Sequence, residues 1–330
     1  MHSPLFSLIV PIYNVKEYVE RTIISIRNQT FSNFEVLVID DGSTDGSGDI
    51  LKAFAKIDKR IKIFHQENKG VSEARNIGLN KAIGKWIIFV DGDDGLKKNA
   101  LEIIKNHISR HQNVDLIGFS FEKVSDLNKI NELENNSKTT IFNNKYNVSF
   151  NSLNHYTVWS LAIKKDLIGN LRFYSLKNGE DVLFCNTIGI RSNYYTELNA
   201  SLYLYLQRES SAKNNKWSNR RFEDYETLHY GILSNLKNST KTIESLWIKR
   251  WIGNLLLFTP EIWQLDKFNQ NKFFSKHRNL LKETRKLHGI NKYLKFWISC
   301  SLFVNSKKWF NLVAMKPIEL YAKKIVKRNI

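Results

Sequence analysis

The sequence predicts an α/β domain with a mostly parallel sheet flanked by helices, followed by a helical, basic C-terminal region. Three observations predict this. Short apolar runs rich in Val, Ile and Phe alternate with helical patterns from residue 6 to 120. Polar clusters lie directly behind the ends of those runs, where an open parallel sheet gathers its ligand-binding loops. Residues 213–330 then carry 24 Lys or Arg against 8 Asp or Glu, most of the formal net charge of +18.

The predicted strands, in order, are Phe6–Tyr13, Phe34–Asp40, Ile61–His65, Trp86–Val90 and Leu116–Ser120. Between the first two, Val15, Tyr18, Val19, Thr22, Ile23 and Ile26 fall on one helical face, with Asn14 and Glu17 as the expected capping pair. Crossover helices are expected over Ser47–Ala55, Ser72–Ala82 and Lys98–His107. Residues 121–155 are Asn-rich and weakly periodic, and read as an insertion or variable loop. Around Trp159 the aromatic and β-branched content returns, then the acidic Gly179-Glu180-Asp181, then a strand-like Ser201–Gln207.

The expected division is residues 1–212 as the ligand-binding and catalytic domain and 213–330 as the helical, basic, aromatic-rich region. At 330 residues the chain is long enough for such a core and appendage, and 4 Pro argue against disordered linkers. Cys185 and Cys300 form no redox or metal-ligand motif, which points to a reducing compartment, the cytoplasm. The apolar run Leu5–Ile12 lacks a basic leader and a cleavage site and reads as a strand. No run approaches the roughly 18 to 20 apolar residues that cross a bilayer.

The polar clusters are Tyr13-Asn14 after the first strand, Asp40 to Asp45 after the second, Asn68 to Asn76 after the third, and Asp91-Gly92-Asp93-Asp94 after the fourth. Two carboxylates separated by one small residue, as in Asp91-Gly92-Asp93, can hold a hard divalent cation beside a pyrophosphate. A lone pair of this kind is more often a solvated turn that caps a helix. Here its position beside the other clusters favours the metal reading.

Four ordered segments carry a family resemblance: Val10-Pro11-Ile12-Tyr13-Asn14; Val38-Ile39-Asp40-Asp41-Gly42-Ser43-Thr44-Asp45; Asn68 through Ser72-Glu73-Ala74-Arg75-Asn76 to Leu79; and Phe89-Val90-Asp91-Gly92-Asp93-Asp94. Over residues 6–95 the chain resembles family 2 of the glycosyltransferases, inverting enzymes with the Rossmann-like GT-A fold. The resemblance implies a nucleotide-sugar donor. Pro11 and Tyr13 would flank the base, and Asp41 would accept from the uracil ring, making uridine diphosphate (UDP) the expected carrier. Asp93 would ligate manganese or magnesium, Asp91 would approach the ribose or the metal's surroundings, and Arg75 would contact the donor near its sugar or phosphates.

Inverting transfer needs a base on the acceptor hydroxyl. Gly179-Glu180-Asp181 before an apolar run resembles the family's Glu-Asp motif at a helix start, so Asp181 is the expected base and Glu180 its support. An acidic pair at a helix start can also serve only the helix dipole. Arg208, in a stretch resembling Tyr-x-x-Arg-x-x-Ser, is the expected cation for the diphosphate, and Trp159 a candidate acceptor floor or core residue.

The expected function is transfer of a sugar from a UDP-hexose or UDP-N-acetylhexosamine to a hydroxyl of a growing bacterial surface glycan or lipid-linked oligosaccharide. The basic tail, with Trp297 and the lysines from Lys316 on, suits either an anionic membrane surface or a helical subdomain with its own core. The first option would make the protein peripheral on the inner face of the cytoplasmic membrane. Nucleic acid is not an expected partner, because the basicity lies outside the polar clusters and no RNA-binding motif is present. A catalytically silent GT-A scaffold is the alternative; retention of Asp41, Asp91, Asp93 and Asp181 argues for activity.

Overall fold

Apolar runs and helix patterns assemble as one mixed sheet in the computed structural model, which describes residues 3–125, 138–141, 157–176 and 179–207, with six isolated positions beyond. The chain divides into two units, residues 1–215 and 216–330, and all elements below belong to the first. Arg208 and nearly all of the basic tail lie outside the described residues. Among the described residues no helix is long and apolar enough to cross a membrane.

Strands β1 (Phe6–Ile12), β2 (Phe34–Asp40), β3 (Ile61–His65) and β4 (Trp86–Phe89) alternate with helices α1 (Lys16–Arg27), α2 (Ser47–Ile57) and α3 (Val71–Lys81). They run parallel in the order β3-β2-β1-β4. β1 and β2 are buried along their whole length, as expected of strands covered on both faces. Beyond β4 the order continues β8-β6-β9-β5, with β7 on the flank of β9. Here β5 is Gly95–Leu96, β6 Leu116–Val124, β7 Lys138–Ile141, β8 Leu161–Lys164 and β9 Tyr195–Leu206. Helices α4 (Ala100–Arg110), α5 (Lys165–Ile168) and α6 (Glu180–Arg191) follow among the described residues.

The α/β expectation holds, and the first four strands end within a residue of the sequence reading. The far half differs. β8 is antiparallel to both β4 and β6, so the sheet is parallel in one half and mixed in the other. β7 falls inside the segment expected to be loop, and β9 starts six residues before the strand-like Ser201–Gln207.

The expected Asn14–Glu17 cap is not formed. Val15 is the N-cap of α1 and no side chain of its own turn caps it. The loop after β2 does so instead: Asp45 Oδ2 accepts from the Lys16 amide at 2.8 Å and Ser47 Oγ from the Val15 amide at 3.2 Å. Asn14, at φ 49°, accepts the Thr44 amide on its side-chain oxygen. A cross-loop cap replaces the local one because the two loops must pack at the same sheet edge.

Pro11 also fits its strand. The Ile12 carbonyl bonds toward β2, so Pro11 faces the β4 side, where pairing stops at Ile9 with Phe89. Its missing N–H breaks no ladder bond there.

Candidate active site

The carboxyl ends of β1, β2 and β4 carry the clusters singled out from the sequence. Asp41 follows β2 and is buried, with three donors: Gln66 Nε2 at 2.6 Å, and the Lys69 and Gly70 amides at 2.8 Å each. It therefore ties the segment leading into α3 to the end of β2. Asp40 accepts the Ser43 amide at 2.9 Å. Tyr13, just past β1, is exposed, while Pro11 is buried within it.

Arg75 is the centre of the arrangement. It lies on α3, whose Gly78 permits close contact with β1: a Cβ there would stand 2.3 Å from Ile9 Cγ2. The Arg75 side chain is 4% exposed, and its Nη2 donates to Asp91 at 3.0 Å. Nη1 donates to Asp181 at 2.5 Å and to Glu180 at 3.2 Å. Nε has no partner among the described groups. Burial opposes its charge, but Asp181, Asp91 and Glu180 outweigh it and raise its pKa. The resemblance implies that Arg75 contacts the donor; in this structure its guanidinium is engaged by three carboxylates.

Glu180 and Asp181 open α6 after Gly179, which takes a left-handed φ of 89°. A helix start favours carboxylates through its dipole. Burial nevertheless pushes Asp181 up to about 7; Arg75 and the Val158 amide pull it down, while Glu180 and Asp91 push it up. A carboxylate tuned near neutrality is suited to accept and release a proton.

The turn after β4 is fixed on several sides. Thr22 of α1 donates to the Gly92 carbonyl at 3.0 Å, and a Cβ on Gly92 would stand 2.5 Å from Ile12 Cδ1. Asp91 is part-exposed at 29%, Asp93 is half-buried, and Asp94 is buried. Burial, with the charges of Asp91 and Asp93, pushes Asp94 up to about 8. The two other carboxylates of the turn, Asp91 and Asp93, are the less buried ones, and theirs is the charge a divalent cation would offset. Among the described residues no three metal-ligating side chains are grouped as a cage. Magnesium commonly uses one or two carboxylates plus substrate phosphates, and Asp93 with Asp91 fits that donor set.

Trp159 is placed in the core. It is 5% exposed and stacks on Tyr203 with centroids 4.5 Å apart, so as it stands it packs instead of presenting an open floor. Three residues escaped the sequence reading. Asn76 clamps Phe173 through both its main-chain groups, at 3.0 and 2.8 Å, and Phe173 stacks on Phe184 beneath the Arg75 guanidinium. Asp94 and Tyr203 bond each other at 2.8 Å. Asn76 and Asp94 stand beside residues already marked; Tyr203 carries no local signal, because its role depends on where β9 enters the sheet.

On this sheet, acidic turns at the carboxyl edge mark a nucleotide-binding α/β enzyme, here a glycosyltransferase with a GT-A-like fold. The chain belongs to glycosyl transferase family 2, whose family model matches residues 7–172. It is 35% identical over 214 residues to the glycosyltransferase GlyA of Streptococcus pneumoniae, covering 62% of this chain and 31% of GlyA. To GlyG of the same organism it is 32% identical over 222 residues, covering 63% of this chain and 73% of GlyG. In fold it is similar to residues 1–349 of S. aureus TarS in complex with UDP-GlcNAc, with TM-score 0.68 and 20% identity over 84% of this chain and 81% of that TarS fragment.

Proposed function

We propose that this glycosyltransferase moves a sugar from a UDP-hexose or UDP-N-acetylhexosamine to a hydroxyl of a bacterial surface glycan, with inversion, and that Asp181 is the base. The observation that carries this reading is the Arg75 bridge, which joins the turn bearing Asp91 and Asp93 to Asp181 through one buried guanidinium. The UDP-sugar bound by TarS, a protein of similar fold, supports the choice of donor.

In this account Tyr13 and Pro11 border the base and Asp41 reads the uracil ring. Asp41 already accepts twice at Oδ1 and once at Oδ2, which leaves acceptor capacity on Oδ2. Asp93, with Asp91 beside it, would hold manganese or magnesium. When bound, that ion supplies charge stabilisation for the departing diphosphate.

The acceptor oxygen attacks the anomeric carbon while Asp181 takes its proton. The bond from that carbon to the diphosphate oxygen breaks, and UDP leaves with the electron pair. Arg75 and Glu180 keep Asp181 oriented, and Arg75 keeps it below the value that burial alone would set. Arg208 is assigned to the diphosphate, and the basic tail to an anionic membrane surface or a lipid-linked acceptor.

Thermal unfolding with uridine, guanosine, thymidine and cytidine diphosphates, each with and without Mn2+, tests the donor reading. Stabilisation by UDP that needs the metal is expected. Equal stabilisation by all four, or none by UDP, would contradict it.

A further inference from the structure

We propose that Tyr203 and Asp94 are positioning residues, which hold the Asp91–Asp94 turn in the conformation that receives a donor diphosphate. The inference rests on the UDP-sugar reading above. The Asp91 amide donates to the Tyr203 hydroxyl at 3.0 Å. That hydroxyl donates to Asp94 Oδ2 at 2.8 Å, and Asp94 Oδ1 accepts the Leu206 amide at 2.8 Å. The first amide of the turn is thus joined to its last carboxylate through a hydroxyl supplied from another strand, 112 residues away.

The clamp is rigid for identifiable reasons. Tyr203 is fully buried, and its ring lies against Trp159 at an interplanar angle of 14°. Directly after the turn, Gly95 and Leu96 pair with Leu204 and Tyr203. Asp94 is 1% exposed with each oxygen engaged by a donor, so it acts through the turn and does not itself face a ligand. The clamp fixes the main chain of Asp91, whose side chain meets Arg75, and of Asp93, the residue assigned to the metal. Trp159 then serves the donor side by backing Tyr203.

Tyr203→Phe keeps the ring and its stacking but removes the hydroxyl, and the expected result has two parts. Hydrogen exchange of the 91–94 amides should accelerate. The affinity for UDP in the presence of Mn2+ should fall about tenfold or more, the loss usual when a supporting hydrogen bond to a metal site is removed. Asp94→Asn keeps the shape but cannot accept from both donors, and should show the same loss even if the Phe variant folds poorly.

Ser7→Ala is the control. Ser7 is a buried hydroxyl at the opposite end of β1, bonded to Glu35 and accepting the Gly84 amide, so its loss also leaves a buried amide unpaired. UDP affinity there should stay within about twofold of wild type. Unchanged exchange in the turn of Tyr203→Phe would overturn the clamp. Accelerated exchange with wild-type affinity, or an equal loss in Ser7→Ala, would overturn the positioning role. Failure of the wild type itself to bind UDP with Mn2+ would instead sink the donor reading, whatever the exchange shows.

Discussion

The guanidinium of Arg75 lies 2.5 Å from Asp181 and 3.0 Å from Asp91, so one buried cation joins the turn after β4 to the start of α6. Everything assigned to the chemistry here depends on that bridge. Removing it would leave three carboxylates facing one another in a largely buried space.

Arg75→Gln is therefore expected to lower stability by about 3–5 kcal/mol, the range for breaking one side of a buried ion pair. The cation holds Asp181 down, so its loss should also move the rising limb of the pH–rate profile to higher pH. Urea unfolding and rates between pH 6 and about 9 measure the two effects.

In the wild type, transfer should rise with pH through about 7, where Asp181 becomes a carboxylate. The sign follows from its role: the protonated acid cannot take the acceptor's proton. A kcat/KM profile flat across this range would contradict Asp181 as the titrating base.

Gly92→Ala should damage the turn more than the fold. Its Cβ would meet Ile12 Cδ1 at 2.5 Å and the Pro11 carbonyl oxygen at 3.0 Å, so the turn must shift. Overpacking of this kind costs about 1–3 kcal/mol. We expect a modest fall in Tm with a larger, at least tenfold fall in UDP affinity with Mn2+, as for other losses of support around a metal site.

Asp41→Ala should loosen the segment before α3, because the Lys69 and Gly70 amides lose their acceptor. Hydrogen exchange over residues 66–70 should quicken and UDP affinity should drop. Tight UDP binding in that variant would remove Asp41 from the nucleotide pocket.

Much of this site was legible in the sequence because its signals are local. β1 to β4 are continuous apolar runs closed by polar turns, and their acids sit where those runs stop. What could not be read depends on distant pairing. Arg75 meets Asp181 across 106 positions, and Tyr203 meets Asp91 across 112. The pairing of β9 with β5 and with β6 decides where Tyr203 falls. The Asn14–Glu17 cap failed for the same reason: Asp45 and Ser47, from the next loop, reach the helix start first. Trp159, in the segment Val158-Trp159-Ser160-Leu161, looks alike in a core and in a sugar-binding floor until Tyr203 is seen stacked on it.

The role of Asp181 is tested by the rate of UDP release from UDP-sugars in Asp181→Asn against wild type, with UDP binding measured on both proteins. A loss of about 10²-fold or more in turnover is expected, the contribution of a general base, with UDP and Mn2+ stabilising both proteins alike. Turnover in the variant equal to wild type would show that the proton leaves by another group and that Asp181 is not the base.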